Sequence, residues 1–349
     1  MNWIAEKLAS LSTEFRDKAV EQQSQLTKPP GSLGRLEQIA IQMAAMQATT
    51  QPHLHNIYIS VFAGDHGVAD EGVSAFPQAV TAEMVKNFAR GGAAINVLAK
   101  SIGATLEVVN LGTVAAVDSY ESVLSRSIAP ATANFVHGPA MTTEQLEQAM
   151  EEGAQAIMRA IANEADAFIG GEMGIANTTA ASAMACALLK RPATMLAGPG
   201  TGLNKDGVRH KVQVIDKGLH NNKARLTSPL ACLRCLGGFE IAALCGAYIK
   251  AAQVGLPIIV DGFISSTAAL AAVKINPEVR DWMIFSHASA EPGHQIIVQA
   301  LDAKPLLNLN MRLGEGSGAA TAVPLIRLAL ATHNDMATFA EAGVSEKLN

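Results

Sequence analysis

Two glutamates sit inside glycine-rich turns, where a carboxylate is free to do chemistry. Glu315 is the only ionisable residue of Gly314-Glu315-Gly316-Ser317-Gly318, and Glu172 lies within Gly170-Gly171-Glu172-Met173-Gly174. Flanking glycines let the backbone take positive φ and approach a ligand closely. A carboxylate so placed suits proton transfer. Directly after Glu172, the run Gly174-Ile175-Ala176-Asn177-Thr178-Thr179 leads into an alanine-rich helical pattern, so its amides and hydroxyls stand at a helix amino terminus, an anion site suited to a monophosphate. Gly198-Pro199-Gly200-Thr201-Gly202-Leu203, followed by Lys205 and Lys211, adds flexible backbone and cations. A solvated turn glutamate, an ordinary helix cap and a surface lysine are the plainer readings of the same residues. What separates the readings is whether the chain brings these stretches together.

The elements that would do so are short apolar, β-branched runs alternating with alanine-rich helical ones from Asn56 onward. Strands are predicted over 57–63, 105–111, 166–170, 257–261, 282–286 and 306–311, with 193–197 as a further candidate. Such alternation gives βα units and a mostly parallel sheet covered on both faces, an α/β fold. These runs end in Ala63-Gly64-Asp65-His66-Gly67, Asn110-Leu111-Gly112-Thr113, the Glu172 turn, Asp261-Gly262-Phe263, Ser286-His287-Ala288-Ser289 and the Glu315 turn. Polar residues mixed with glycine at strand after strand of a parallel sheet converge on one rim. Ahead of this region, 3–24 and 35–48 read as helices joined by Thr27-Lys28-Pro29-Pro30-Gly31-Ser32-Leu33-Gly34.

Composition excludes several classes. With 49% hydrophobic and 16% charged residues among 349, the chain can bury a large core, and its length suits about two domains. A net charge of −5, no long basic run and an aromatic fraction of 4% leave nucleic acid without an electrostatic footprint or a stacking platform. The most apolar interior stretch, Phe239 to Val260, is interrupted by Glu240, Lys250, Gln253 and Pro257, too polar to span a membrane. Met1 to Gln25 is amphipathic rather than signal-like, and four cysteines suit a reducing compartment, so a cytoplasmic protein is expected. Cys232 and Cys235 form a CxxC without a second pair and within a helical pattern, which points to buried core thiols.

Gly198 to Lys205 fails the Walker pattern, because Leu203 stands where the second glycine belongs. Gly314-Glu315-Gly316-Ser317-Gly318-Ala319 matches the GxGxxA dinucleotide fingerprint, yet no strand follows its helix to carry a ribose-binding acid. Asp65-His66 and the stretch from Ser286-His287 to Glu291 and His294 match no specific metal spacing. Neither a metal nor another cofactor is expected.

The segments PPGSLGRLE (29–37), AGDHGV (63–68), EGVSAFPQAVTAEMVKNFARGGAAINVLA (71–99), GGEMGIANTTAASA (170–183), GPGTGL (198–203), DGFISSTAALAA (261–272), SHASAEPGH (286–294) and RLGEGSGAA (312–320) resemble, in order, those of the nicotinate-nucleotide:dimethylbenzimidazole phosphoribosyltransferase family. The resemblance implies a Rossmann-like three-layer α/β/α domain over 51–330 and a small helical domain from 1–50 and about 331–349. It implies a homodimer, and transfer of phosphoribose from nicotinate mononucleotide to 5,6-dimethylbenzimidazole with inversion, giving α-ribazole 5′-phosphate and nicotinate.

By the same resemblance Glu315 is the catalytic base and Glu172 a second acid of the pocket. Gly174, Asn177, Thr178, Lys211 and Ser289 would hold phosphate and ribose, with Gly202 and Leu313 also binding substrate. The Ser74 to Met84 region would take the benzimidazole, Phe76, Pro77 and Met84 supplying apolar walls. Glu83 reads equally as an exposed helix glutamate, and Asp65 and His66 as supports. Two other readings stay open: a phosphoribosyltransferase for a different azole, purine or phenol, and a nucleotide-binding regulator without turnover.

Overall fold

The structure, a computed structural model, describes residues 1–345. The part of the expected small domain at 346–349 lies outside the described residues. Six strands, β1 (Ile57–Gly64), β2 (Thr105–Gly112), β3 (Val123–Ser125), β4 (Ala167–Met173), β5 (Ile258–Val260) and β6 (Met283–Phe285), form one parallel sheet in the order β3-β2-β1-β4-β5-β6. All eight residues of β1 are buried, as a strand covered on both faces must be.

The helices are α1 (Thr13–Gln25), α2 (Arg35–Gln47), α3 (Ala79–Ala89), α4 (Ala94–Ile102), α5 (Thr143–Ala162), α6 (Asn177–Leu189) and α7 (Ala193–Leu196). Then come α8 (Lys205–Asn222), α9 (Pro229–Leu236), α10 (Phe239–Val254), α11 (Phe263–Ile275), α12 (His294–Ala300), α13 (Ser317–Asp335) and α14 (Phe339–Ala342). One packed group centres on α5, α10, α11 and α6, another on α13, α4 and α2, and the sheet contacts both. Helices approach closely where side chains vanish. A Cβ on Gly153 of α5 would lie 1.8 Å from the Ala243 carbonyl of α10, so only glycine permits that approach.

Strand order reverses direction between β1 and β4: β2 and β3 extend the sheet one way from β1, β4, β5 and β6 the other. In an open parallel sheet the loops leaving two such neighbours diverge and open a crevice at their carboxyl ends. The loops at that crevice are Gly64-Asp65-His66 after β1 and Met173-Gly174 after β4.

Four expectations change. The 306–311 run is not a strand: Leu307 makes a single parallel bridge with His287, and Asn310 takes a left-handed φ of 55° that ends any extension. Pro305 and alternating asparagines leave it a strap lying across the end of β6. Residues 193–197 form one helical turn, α7, opened by Pro192 at its N-cap. The helix expected over 3–24 is a 3₁₀ turn at Asn2–Ala5, then extended chain, then α1 capped by Ser12, whose Oγ accepts the Phe15 amide at 3.3 Å. Edge strand β3 was not foreseen, because three half-exposed residues carry almost no periodic signal.

The chain's two end regions meet. Leu26 bridges Thr338 antiparallel, and Gln22 donates to the His333 carbonyl at 2.8 Å. Cys232 and Cys235 are free and buried in α9, and burial pushes the Cys232 thiol up to about 11, which leaves it an inert core thiol at neutral pH. No helix among the described residues is long and apolar enough to cross a membrane.

Candidate active site

A cleft opens over the carboxyl ends of β4, β5 and β6. Glu172, Gly174, Asn177, Thr178, Ser289 and Leu313 line it, as anticipated, together with Phe76, Gly200, Thr201, Asp261, His287, Glu291 and Arg312. Glu172 ends β4 and is 5% exposed. The first residue of α6, Asn177, donates its side-chain amide to Glu172 Oε2 in a short hydrogen bond. The other oxygen packs against Gly314, where a Cβ would come within 2.2 Å of Oε1.

That packing explains the glycines of the Glu315 turn. Gly314, Glu315 and Gly316 take φ values of 89°, 64° and 85°, three successive left-handed residues. Two are glycines, which tolerate this; the third is glutamate, which is strained there. The turn lies directly on β4: the Glu315 amide donates to the Glu172 carbonyl at 3.3 Å, and a Cβ on Gly171 would meet the Glu315 carbonyl at 2.3 Å. Glu315 is thereby buried beside Glu172, its Oε2 accepting the Ile95 amide at 3.1 Å at the first turn of α4.

Asp261, leaving β5, is held in the same way. Its Oδ1 accepts the Ala319 amide at 2.9 Å, at the amino terminus of α13, and stands 3.6 Å from His287 Nε2. Below the floor, His66 Nε2 and Glu240 Oε1 pair at 2.7 Å, both fully buried. His66 supports Gly174, where a Cβ would sit 3.2 Å from the ring. Asp65 is equally buried, one oxygen accepting the Val114 amide at 2.9 Å.

Burial next to so many acids raises carboxyl pKa values. Glu172 is pushed from an ordinary 4.5 up to about 8, by burial first and then by Glu240 and Asp261. Glu315 is also raised by burial, but the Ile95 amide opposes the shift. Both carboxyls are thus raised, and they differ in what opposes burial: a backbone amide at Glu315 and the Asn177 side chain at Glu172.

The anion end of the cleft is built from α6, α8 and the 198–202 loop. Lys211 of α8, 1% exposed, donates to Thr178 Oγ1 at 3.1 Å and to the Gly198 carbonyl at 3.2 Å. Arg312 donates to the Gly200 carbonyl at 3.0 Å. Ser289 is fixed by its own amide, which donates to His294 Nδ1 at 2.8 Å. Burial pulls His294 down to about 4, so it is a neutral acceptor at that nitrogen. Phe76 and Leu313, 51% and 59% exposed, add apolar surface to the cleft.

Some anticipated residues stand apart: Glu315 and Lys211 are buried behind the cleft lining rather than in it, Glu315 turned toward the Ile95 amide and Lys211 toward Thr178. Met84 is half-buried on α3 against the core, away from the cleft wall, and Gly202 has open space around its Cα. Ser74 touches the cleft indirectly, its hydroxyl 3.3 Å from that of Thr201 and accepting the Phe76 amide at 3.2 Å. Glu83 is exposed on α3. Asp261 and His287 stand at strand endings without an expected role, Glu291 enters the sequence reading only as a rejected metal ligand and within the SHASAEPGH segment, and Arg312 only as part of the RLGEGSGAA segment. Among the described residues no group of three or more His, Cys, Asp or Glu is arranged to hold a metal ion.

A family model described as a phosphoribosyltransferase matches residues 8–344. The nicotinate-nucleotide–dimethylbenzimidazole phosphoribosyltransferase of Xanthomonas oryzae pv. oryzae is 57% identical over 345 residues, covering 99% of each chain. Its counterpart from Pseudomonas aeruginosa is 54% identical over 347 residues, again 99% of each. The crystal structure of CobT from Thermus thermophilus matches with a TM-score of 0.91 and 43% identity, covering 96% of this chain and 100% of that one. With a six-stranded parallel α/β sheet, a cleft over the carboxyl ends of β4, β5 and β6 and relatives matching end to end, the chain belongs to the phosphoribosyltransferase family of these nicotinate-nucleotide–dimethylbenzimidazole enzymes.

Proposed function

We propose that this enzyme transfers phosphoribose from nicotinate mononucleotide to 5,6-dimethylbenzimidazole with inversion at C1′, giving α-ribazole 5′-phosphate and nicotinate, in assembly of the cobalamin nucleotide loop. The observation that supports this reading is a cleft lined by Glu172, Arg312, Phe76 and Leu313, with Lys211 and Glu315 buried directly behind its lining residues Thr178 and Gly314. Lys211, Thr178, Gly174 and Ser289 suit a sugar phosphate, and Phe76 and Leu313 suit a flat aromatic acceptor.

One acceptor nitrogen attacks C1′ as the bond to the pyridinium nitrogen breaks. The bonding pair leaves with nicotinate, whose ring becomes a neutral pyridine, so departure needs no acid. Positive charge passes to the benzimidazole, whose other N–H must lose its proton. Glu315 is the assigned base, on its place in the RLGEGSG motif of the family, and the Ile95 backbone amide supports its ionised form. Glu172, protonated at neutral pH, is assigned to hold ligand by donating a hydrogen bond rather than by taking a proton. Gly202, Ser74 and Met84 keep only an indirect part, through the loops that frame the cleft.

We further assign the helices near both ends of the chain to a small domain, and two copies of the chain to a homodimer. Val97 on α4 and Leu328 on α13, 64% and 61% exposed on two helices that pack together, give the dimer apolar surface. Sedimentation equilibrium should return twice the chain mass; a monomer at micromolar concentration contradicts the dimer.

Purified protein incubated with the mononucleotide and 5,6-dimethylbenzimidazole should yield the α-linked ribotide on chromatography. Glu315→Gln should lower kcat by at least ~10²-fold. Ribotide formed only from another azole, a purine or a phenol overturns the acceptor, and unchanged turnover by Glu315→Gln overturns the base. A second outcome concerns Glu172. A carboxyl raised from 4.5 to about 8 stabilises the fold below the lower value and loses that contribution as pH rises to the upper one. Glutamine cannot ionise, so Glu172→Gln should gain stability on wild type across that window, by at least ~1 kcal/mol at its upper end in denaturant titrations. A difference that does not change with pH contradicts the shift.

A further inference from the structure

Lys211 and Glu291 are two buried charges that the transfer mechanism leaves half explained. Lys211 is 1% exposed, and both of its acceptors, Thr178 Oγ1 and the Gly198 carbonyl, are neutral. Glu291 is 5% exposed, and neither of its carboxylate oxygens makes a well-formed hydrogen bond among the described residues. An isolated buried ammonium gives up its proton, and an isolated buried carboxylate takes one.

The glycine loop between them brings the two together. Gly198 offers its carbonyl to Lys211 while its Cα lies against the carboxylate, where a Cβ would stand 2.0 Å from Glu291 Oε2. Two residues on, a Cβ on Gly200 would stand 3.1 Å from Lys211 Nζ and 2.7 Å from Thr178 Oγ1. Side chains at either position would wedge the charges apart. The loop is therefore bare where it passes between the ammonium and the carboxylate.

We propose that Glu291 is the buried counter-charge that keeps Lys211 an ammonium at the anion end of the cleft, and so is a positioning residue for phosphate recognition. It acts through Lys211 and takes no part in bond making. This deepens the reading of the cleft as a mononucleotide site and rests on it. Burial pulls Lys211 down to about 8, and Glu291 is the group that opposes the fall. Burial raises Glu291 in turn, opposed first by Lys211 and then by the nearby Gly200 amide and Arg312. Other charges nearby look elsewhere: Asp216 of α8 faces Cys186 on α6, and Arg234 of α9 faces Cys235.

Two effects of removing the carboxylate compete. A negative charge near a phosphate repels it, so simple repulsion predicts that Glu291→Gln binds anions more tightly at every pH. Loss of the lysine proton predicts the opposite above the new, lower pKa. Calorimetric titration from about pH 5.5 to 9 separates them, using inorganic phosphate and nicotinate mononucleotide as probes and thermal melts to confirm folding. Ionisation of the probe is common to both proteins and cancels.

Wild type should hold its affinity up to about pH 8 and then lose it as Lys211 deprotonates. Glu291→Gln should lose affinity at least one pH unit lower, which is about threefold weaker binding midway between the two midpoints and approaches about tenfold above both. Glu291→Asp, with the charge kept but drawn back, should shift the midpoint by less in the same direction; it replaces the glutamine variant if that one fails to fold. Equal midpoints, tighter binding by Glu291→Gln throughout, or no phosphate binding by wild type each overturn the proposal. If wild type binds phosphate but not the mononucleotide, the functional reading fails, and the phosphate curves alone decide on the pair.

Discussion

The cleft depends on keeping several carboxyls buried together, a state that electrostatics opposes. Glu172, Glu240, Asp261 and Glu315 are each at most 5% exposed, and they repel one another through a medium that screens poorly. Each has a specific compensation. Glu315 and Asp261 take backbone amides at the amino termini of α4 and α13, where helix dipoles also favour negative charge. Glu240 pairs with His66, and Glu172 leans on Asn177 and keeps its proton. The helix packing exists partly to deliver those amides: α4 and α13 lie against each other and point their first turns at the same rim.

The same cleft gathers unlike groups: Arg312 and the amides of the Gly200 loop, the exposed apolar side chains of Phe76 and Leu313, and the buried acids Glu172 and Asp261. A protonated Glu172 adds a hydrogen-bond donor there without adding charge. Glu315, left-handed between two glycines, is fixed against the end of β4 by its own amide, which donates to the Glu172 carbonyl.

Much of this was legible from residue types. Acid and glycine recurring at strand ends, combined with βα alternation, pointed to one rim, and Glu172, Asn177, Thr178 and Ser289 indeed share it. What could not be read is whatever depends on partners far along the chain. Asp261 matters because Ala319 caps it, and Glu291 because Lys211 faces it; neither relation leaves a mark in local sequence. The 306–311 run misled for a related reason: Leu306 and Leu307 bond the end of β6 while Leu309 is exposed, and hydrophobicity alone does not distinguish such a strap from a strand. Met84 was placed at the acceptor by its segment, whereas helical rotation turns it toward the core.

The central claim is that the two cleft glutamates hold different protonation states at working pH. Carbon-13 NMR of protein labelled at the glutamate side-chain carboxyls tests it directly. One resonance should titrate near pH 8 and vanish in Glu172→Gln, and the resonance lost in Glu315→Gln should already report a carboxylate at about pH 7. If the Glu172 resonance titrates in the ordinary carboxyl range, or the Glu315 resonance is still protonated at neutral pH, the division of roles between them is wrong.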